Sequence, residues 1–577
     1  MTQRLTRICS ALPLLASFLV GCGGGDSLLT SNDTLLRYVP ADTPYVLAAV
    51  EPLPDDYVDM YTQYMESVGE MIQLGMQSAL EEMGAAGSPD AVEAFDLLTE
   101  LTSPETIAAI GINRDSTYAI YGVGLLPVMR VTLAEDNDIK SVLDRIESLI
   151  ENEGGVDVVA ASVGGLPYRY FGDDEARLII AQPANELVVT MVPASFGDAE
   201  LQSVLGADLP NESIADSGRL AEIADEYGFT SHMVALMDIE RLTAKFLDTP
   251  SNTDAVLLDL MGYDAGELSA VCRNEIRSLA GAAPSIVSGY TALDSDAMEM
   301  NLVVELREDI AQGLASIPAS VRGLGAATDA LMSFGMSFDI PAVRAFANAR
   351  LDAIEADPFE CESFADLQQA VPLGRLYLSQ PLPPFVDSLK GFAATMDFND
   401  IDFAAIDSMP TDMEASVLIA SSDVQGLLAM ASALDPTIAS LNLTTDGQIT
   451  PLDLPVPFND PSVNPFGDAY FVATDSEMGV GLGENGEVRL GELMSAPASD
   501  PSTFMAMSLD LGAYYGLMAD TIENAAVLDL AGDPQMAVIG SMTDMMRGMQ
   551  DVFSRETVDI QFTDRGIEMP IRLELAP

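Results

Sequence analysis

Apolar and polar positions along this chain switch repeatedly between a period near two and a period near 3.6. Tyr38-Val39-Pro40-Ala41-Asp42-Thr43-Pro44-Tyr45-Val46-Leu47-Ala48-Ala49-Val50 is a proline-bounded turn that runs into a β-rich stretch, and Pro52 to Asp56 supplies the next turn. From Val58 to Met83 the apolar residues return at helical spacing, which places Met60, Tyr64, Ile72, Met76 and Leu80 on one face of a long helix. Tyr118 to Tyr121 and Val128 to Leu133 predict paired strands around Gly122, Gly124 and Pro127, and Ile139 to Ile150 predicts a helix.

One unit recurs: an apolar strand that ends in Asp, with a helix starting at once. It occurs at Met233 to Asp238, Phe334 to Asp339 and Phe504 to Asp510, with a looser copy ending at Asp423. An Asp in that position accepts from the free amides of the first helical turn, so these four carboxylates read as N-caps rather than catalytic groups. Hairpins follow in two places, Ile286 to Leu293 with Met298 to Leu306 and Val558 to Phe562 with Ile567 to Leu573. The pattern predicts an internally duplicated α+β protein with largely antiparallel sheets. It divides into an N-terminal half, 35–310, a Gly-, Ala-, Ser- and Pro-rich linker, 311–326, and a C-terminal half, 327–577.

The first residues follow a different logic. Arg4 and Arg7 precede an apolar run from Ile8 to Val20, and small Gly21 precedes Cys22, the layout of a secretory signal peptide. The run is shorter than the roughly 20 residues that a bilayer span needs. Leu19-Val20-Gly21-Cys22 resembles the lipobox of bacterial lipoproteins. The resemblance implies removal of 1–21, acylation of Cys22 and a flexible tether over 22–34. It also implies, with Gly rather than Asp at position 23, a Gram-negative outer-membrane anchor facing the periplasm. Two or three acyl chains hold a protein firmly where one does not.

Charge then narrows the partners. The chain carries 90 acidic residues against 25 Lys plus Arg, a net charge of −65, and lysine occurs only at 140, 245 and 390. Nucleic acid is excluded, because no basic stripe is present to displace counterions from phosphate. Two explanations of the acidity stand side by side: adaptation to high external salt, where repulsion is screened, and cation binding. The nearest approach to a calcium loop, Asp397-Phe398-Asn399-Asp400-Ile401-Asp402, lacks a ligand at Ile401 and a turn glycine. With Cys9 lost and Cys22 acylated, Cys272 and Cys361 remain and are expected to form a disulfide in an oxidising compartment, the alternative being two buried thiols.

Catalytic signatures are sparse. His232 is the one histidine, beside an apolar run, and reads as a strand-end residue; no Gly-x-Ser-x-Gly and no phosphate-binding Gly-x-x-x-x-Gly-Lys occur. Gly481-Leu482-Gly483-Glu484-Asn485-Gly486 matches a dinucleotide pattern, but Glu487 to Leu490 reads as a strand and Asn485-Gly486 as a hairpin turn, which argues against a phosphate site. Thirty methionines, dense in 60–83 and at Met542, Met545, Met546 and Met549, suit irregular core packing or an adaptable apolar groove better than copper ligation. Paired carboxylates could hydrolyse glycosides, yet the chain has no Trp to stack on sugars.

The opening Tyr38-Val39-Pro40-Ala41-Asp42-Thr43-Pro44-Tyr45 resembles a bacterial envelope family known only as a domain of unknown function, as do Leu125-Leu126-Pro127-Val128-Met129-Arg130 and the Cys272-Arg273-Asn274-Glu275 context. That resemblance implies an exported, repeated body and transfers no catalytic residue. The expectation is a non-enzymatic, lipid-anchored binding or scaffold module with no cofactor and no metal. A carrier of lipid in a Met- and Leu-lined cavity is the first alternative, and a carboxylate-based hydrolase the second.

Overall fold

The computed structural model describes residues 28–31, 34–54, 57, 104–152, 158–248, 252–263, 266, 268–294, 296–326, 328–398, 413–453, 467–529 and 535–576. The export segment, Cys22, the Met60 to Met83 run and Asn399 to Asp402 lie outside them. Two compact units divide at Ser295 and Asp296.

In the first unit, nine strands follow one another along the chain: β1 (Tyr45–Ala49), β2 (Tyr118–Val123), β3 (Leu126–Thr132), β4 (Val159–Val163), β5 (Leu166–Gly172), β6 (Ala176–Ala181), β7 (Glu186–Pro193), β8 (Val234–Asp238) and β9 (Ser285–Leu293). They lie side by side in the order β9-β8-β1-β2-β3-β7-β6-β5-β4, every neighbour antiparallel. The expected β2–β3 pairing is present, with Tyr121 opposite Val128. The helix Ile139–Asn152 extends the predicted one by two residues. Ile139 and Leu143 from this helix pack with Met129, Val131, Leu187 and Val189 and close one face of the sheet.

The Pro-Ala-Asp-Thr turn is tied to the second strand by its threonine. Thr43 is buried; its Oγ1 lies 2.7 Å from the Tyr45 carbonyl and 2.9 Å from the Gly122 carbonyl, and accepts the Gly122 N–H at 3.1 Å. Deeper still is Arg130, which has no exposed surface. Its Nη1 donates to Glu186 Oε2 at 2.6 Å, its Nη2 to the Leu205 carbonyl at 3.0 Å, and its guanidinium stacks 3.7 Å from the centre of the Tyr38 ring. Arg37 adds a second donor to Glu186 at 3.1 Å. Burial pushes the neighbouring Tyr121 phenol up from its usual pKa.

The second unit is also antiparallel, with β10 (Ala297–Glu305), β11 (Met332–Ser337), β12 (Leu389–Phe398), β13 (Met413–Ser421), β14 (Thr450–Pro451), β15 (Ala469–Ala473), β16 (Glu477–Leu482), β17 (Thr503–Asp510), β18 (Phe553–Phe562) and β19 (Gly566–Leu575). Their spatial order is β10-β19-β18-β17-β11-β12-β13-β16-β15-β14. The β18–β19 hairpin has Phe562 opposite Ile567, as the alternation predicts.

The expected linker is a different object. Residues 311–326 begin in the helix Glu308–Ala315 and continue as a strap whose Val321 and Leu324 are buried against Ala393, Leu418 and Ala506. Gly, Ala, Ser and Pro are small enough to lie close against a sheet, so the composition that suggested a joint instead allows tight cover. The unit boundary falls upstream, at Ser295 and Asp296.

Arg130→Ala is expected to destabilise the fold by about 3–5 kcal/mol, because it strips a buried carboxylate of its closest cation. The double replacement Arg130→Met with Glu186→Leu should recover most of that loss. Urea unfolding of the two variants checks this; equal losses would mean that packing volume, not the uncompensated charge, dominates.

Candidate apolar binding face

The sheet of the second unit has two unlike faces, and the residue alternation along each strand decides which is which. In an antiparallel ladder, directly opposed residues lie on the same side, and the next residue along lies on the other. One row across the sheet reads Ala506, Gly335, Ala393, Leu418, Gly479 from β17 to β16, and the next reads Ser508, Ser333, Thr395, Ser416, Gly481. These small residues let the cover sit close. A Cβ on Gly479 would stand 2.8 Å from the Val417 carbonyl oxygen and 2.8 Å from Leu490 Cδ1 of the helix Gly486–Ser495, so glycine suits this position. Leu490 and Leu493 from that helix, with Val321 and Leu324 from the strap, complete a buried layer.

The opposite face carries large apolar side chains. Its middle row runs across nine strands as Met300, Ile571, Val558, Met507, Phe334, Ala394, Val417, Val480 and Phe471. At about 4.8 Å per strand the row is roughly 40 Å long. Flanking rows add Met332, Met396, Met505, Met336, Phe392 and Ile419. Helix Val424–Leu434 covers the β15 end, where Val424 and Leu428 pack on Phe471, Ala473 and Met478. Beyond that helix Phe334, Val417 and Val480 are each 37% exposed and Met507 is 43% exposed, small Ala394 between them is buried, and Met300, Ile571 and Val558 are half-buried. Large apolar side chains exposed together on one sheet face are a feature of binding surfaces. The corresponding alternation in the first unit is closed by Ile139 and Leu143.

Residues singled out by the sequence fall mostly elsewhere. Asp238, Asp339, Asp423 and Asp510 each accept from the amide three residues on, at 2.7, 3.0, 2.9 and 2.7 Å, as N-caps do. His232 lies just ahead of β8, its Nδ1 2.9 Å from the Pro52 carbonyl and its Nε2 3.9 Å from Glu51 Oε1. Cys272 sits in the first turn of the helix Ala270–Ala280 and Cys361 ahead of the short turn Glu362–Phe364; both are buried and disulfide-bonded. Asp397 is engaged by the Leu331 N–H at 2.8 Å and by Arg489 at 3.0 Å, and among the described residues no group of acidic, His or Cys side chains could hold a metal ion.

The glycine pattern is where the expectation fails. β16 is followed by the helix Gly486–Ser495, not by a strand, and Asn485 stands at the N-cap position of that helix instead of turning a hairpin. Glu414, distant in sequence, decides this: its Oε1 accepts from the Asn485 N–H at 3.3 Å and from Asn485 Nδ2 at 2.8 Å. Gly483 has φ of +98°, and a Cβ there would stand 2.8 Å from Glu414 Cγ. A carboxylate is therefore bound to Asn485 beside the helix N-terminus, where its charge repels a phosphate, which argues against a nucleotide site.

Comparison with family models, with curated proteins and with solved structures found no match. On the covered face Asp559 of β18 stands opposite Ala506; burial pushes its carboxyl up from the usual range, and its Oδ1 has no hydrogen-bond partner.

A raised folded-state pKa means that the ionised form is disfavoured by folding, so its cost is present above the folded pKa and vanishes below the unfolded one. Asp559→Asn should therefore raise the thermal midpoint at pH 7 and leave it nearly unchanged near pH 3. An equal rise at both values would refute desolvation as the cause.

Proposed function

We propose that the protein is a lipid-anchored envelope protein and a non-enzymatic binding module, and that the open face of its second unit holds an apolar, chain-like ligand. The nine-strand apolar row carries this reading. A protein partner brings polar groups that need hydrogen bonds, commonly one for every 100–200 Å² of interface. The middle row offers no side-chain donor or acceptor from Met300 to Phe471, whereas hydrocarbon asks for none. Flexible methionine thioethers adapt to chains of variable shape. The ligand lies on a floor of sheet instead of in the enclosed cavity that the carrier alternative called for.

Duplication is proposed on the order of the strands. In the first unit β9-β8-β1-β2-β3-β7-β6-β5 and in the second β18-β17-β11-β12-β13-β16-β15-β14 are neighbours in the same sequence of connections, and both carry a capping Asp at the equivalent strand end, Asp238 and Asp510. Anchoring is proposed on the resemblance of 19–22 to a lipobox. Labelled palmitate should enter the wild-type chain and not Cys22→Ala, and the intact mass of an unlipidated form from Ser27 should lie about 2 Da below the reduced value, since disulfide formation removes two hydrogens.

The same soluble form, exported to the periplasm, tests the ligand reading. Organic extraction followed by mass spectrometry is expected to release a lipid, and dodecanol should displace an environment-sensitive dye from the purified protein. Val417→Glu with Met507→Glu, which puts two charges on the exposed row, should weaken dodecanol about tenfold or more. Unchanged affinity in that variant would place the binding elsewhere.

A further inference from the structure

Resting on the apolar-ligand reading, we propose that the ligand is an amphiphile with a cationic, amine-type head and that Glu556 receives that head. Glu556 belongs to β18 and stands directly opposite Leu509 on one side and Leu573 on the other, which puts it on the open apolar face. Val558, two residues on, is part of the middle row. Glu556 is half-buried and, among the described residues, its side chain has no hydrogen bond and no ion pair.

Several carboxylates on this unit's strands have cations: Asp510 has Arg555 at 3.1 Å, Glu568 has Arg565 at 2.8 Å, Asp397 has Arg489 at 3.0 Å and Glu477 has Arg322 at 3.0 Å. Asp559 has an unpartnered oxygen too, but it lies on the covered face, opposite Ala506. A carboxylate set among leucines without a partner loses hydration and gains nothing in return, unless a cation arrives from outside. The chain itself has few to give, with 25 Lys plus Arg against 90 acidic residues. Its field draws a cationic head toward the protein and repels an anionic one. The geometry then supplies both halves of an amphiphile's recognition: the head forms a charge-assisted hydrogen bond at Glu556, and the tail runs from Val558 along Met507 and Phe334.

Dodecylamine and dodecanol share a chain and differ in the head, so paired titrations of the soluble form separate the two claims. The wild type is expected to bind dodecylamine about tenfold or more tightly than dodecanol. Glu556→Gln, which keeps shape and removes charge, should bring the amine down to the alcohol's affinity and leave the alcohol unchanged. Asp446→Asn removes an exposed carboxylate far along the chain and should alter neither. Equal binding of amine and alcohol by the wild type, or an equal fall in amine binding in Glu556→Gln and Asp446→Asn, would overturn the head assignment while the apolar face stands. Failure of both compounds to bind would remove the apolar-face reading and this proposal with it.

Discussion

The second unit depends on the period of two in its antiparallel ladder. Because opposed residues share a side, a strand that alternates small with large residues builds a sheet with one thin face and one thick face. Ala393, Ala506, Gly335 and Gly479 make the thin face, and helix and strap close on it to near contact. Met507, Phe334, Val417 and Val480 make the thick face, and the described helices leave its middle uncovered. A one-residue slip in any strand would exchange the two, so register and binding surface are one property.

An exposed apolar surface is a hazard for solubility, and the charge of this chain bears on it. A net charge of −65 keeps molecules apart by mutual repulsion, which offsets the pull between apolar faces. The acidity, whether it reflects adaptation to salt or cation binding, thus has a further physical role. Arginine is scarce, and Arg130 in the first unit, held by Glu186, Leu205 and Tyr38, shows how one cation is accommodated with no solvent at all.

The strand–Asp–helix units were legible because capping is local: the acceptor and the amide it binds are three residues apart, and Asp238, Asp339, Asp423 and Asp510 all cap as their spacing implied. The β2–β3 and β18–β19 hairpins were legible for the same reason, their partners being adjacent in the chain. Gly481 to Gly486 was misread because the deciding contact is with Glu414, from a strand that the local pattern does not contain. Residues 311–326 were misread because small residues suit both a flexible joint and a close-packed strap, and only the presence of Ala393 and Leu418 beneath them separates the two.

By itself, then, the sequence determined the antiparallel α+β class, the capped helices, the acidic charge and the resemblance to an export signal, since each rests on composition or on neighbours a few residues apart. Only the tertiary structure decided that one sheet face is covered and its opposite open, that the glycine motif meets a carboxylate, and that Glu556 stands alone between Leu509 and Leu573. The physical reason is that cover, isolation and charge pairing are relations between strands far apart in the chain. Alternation along one strand specifies which residues share a face, but not what comes to lie against them.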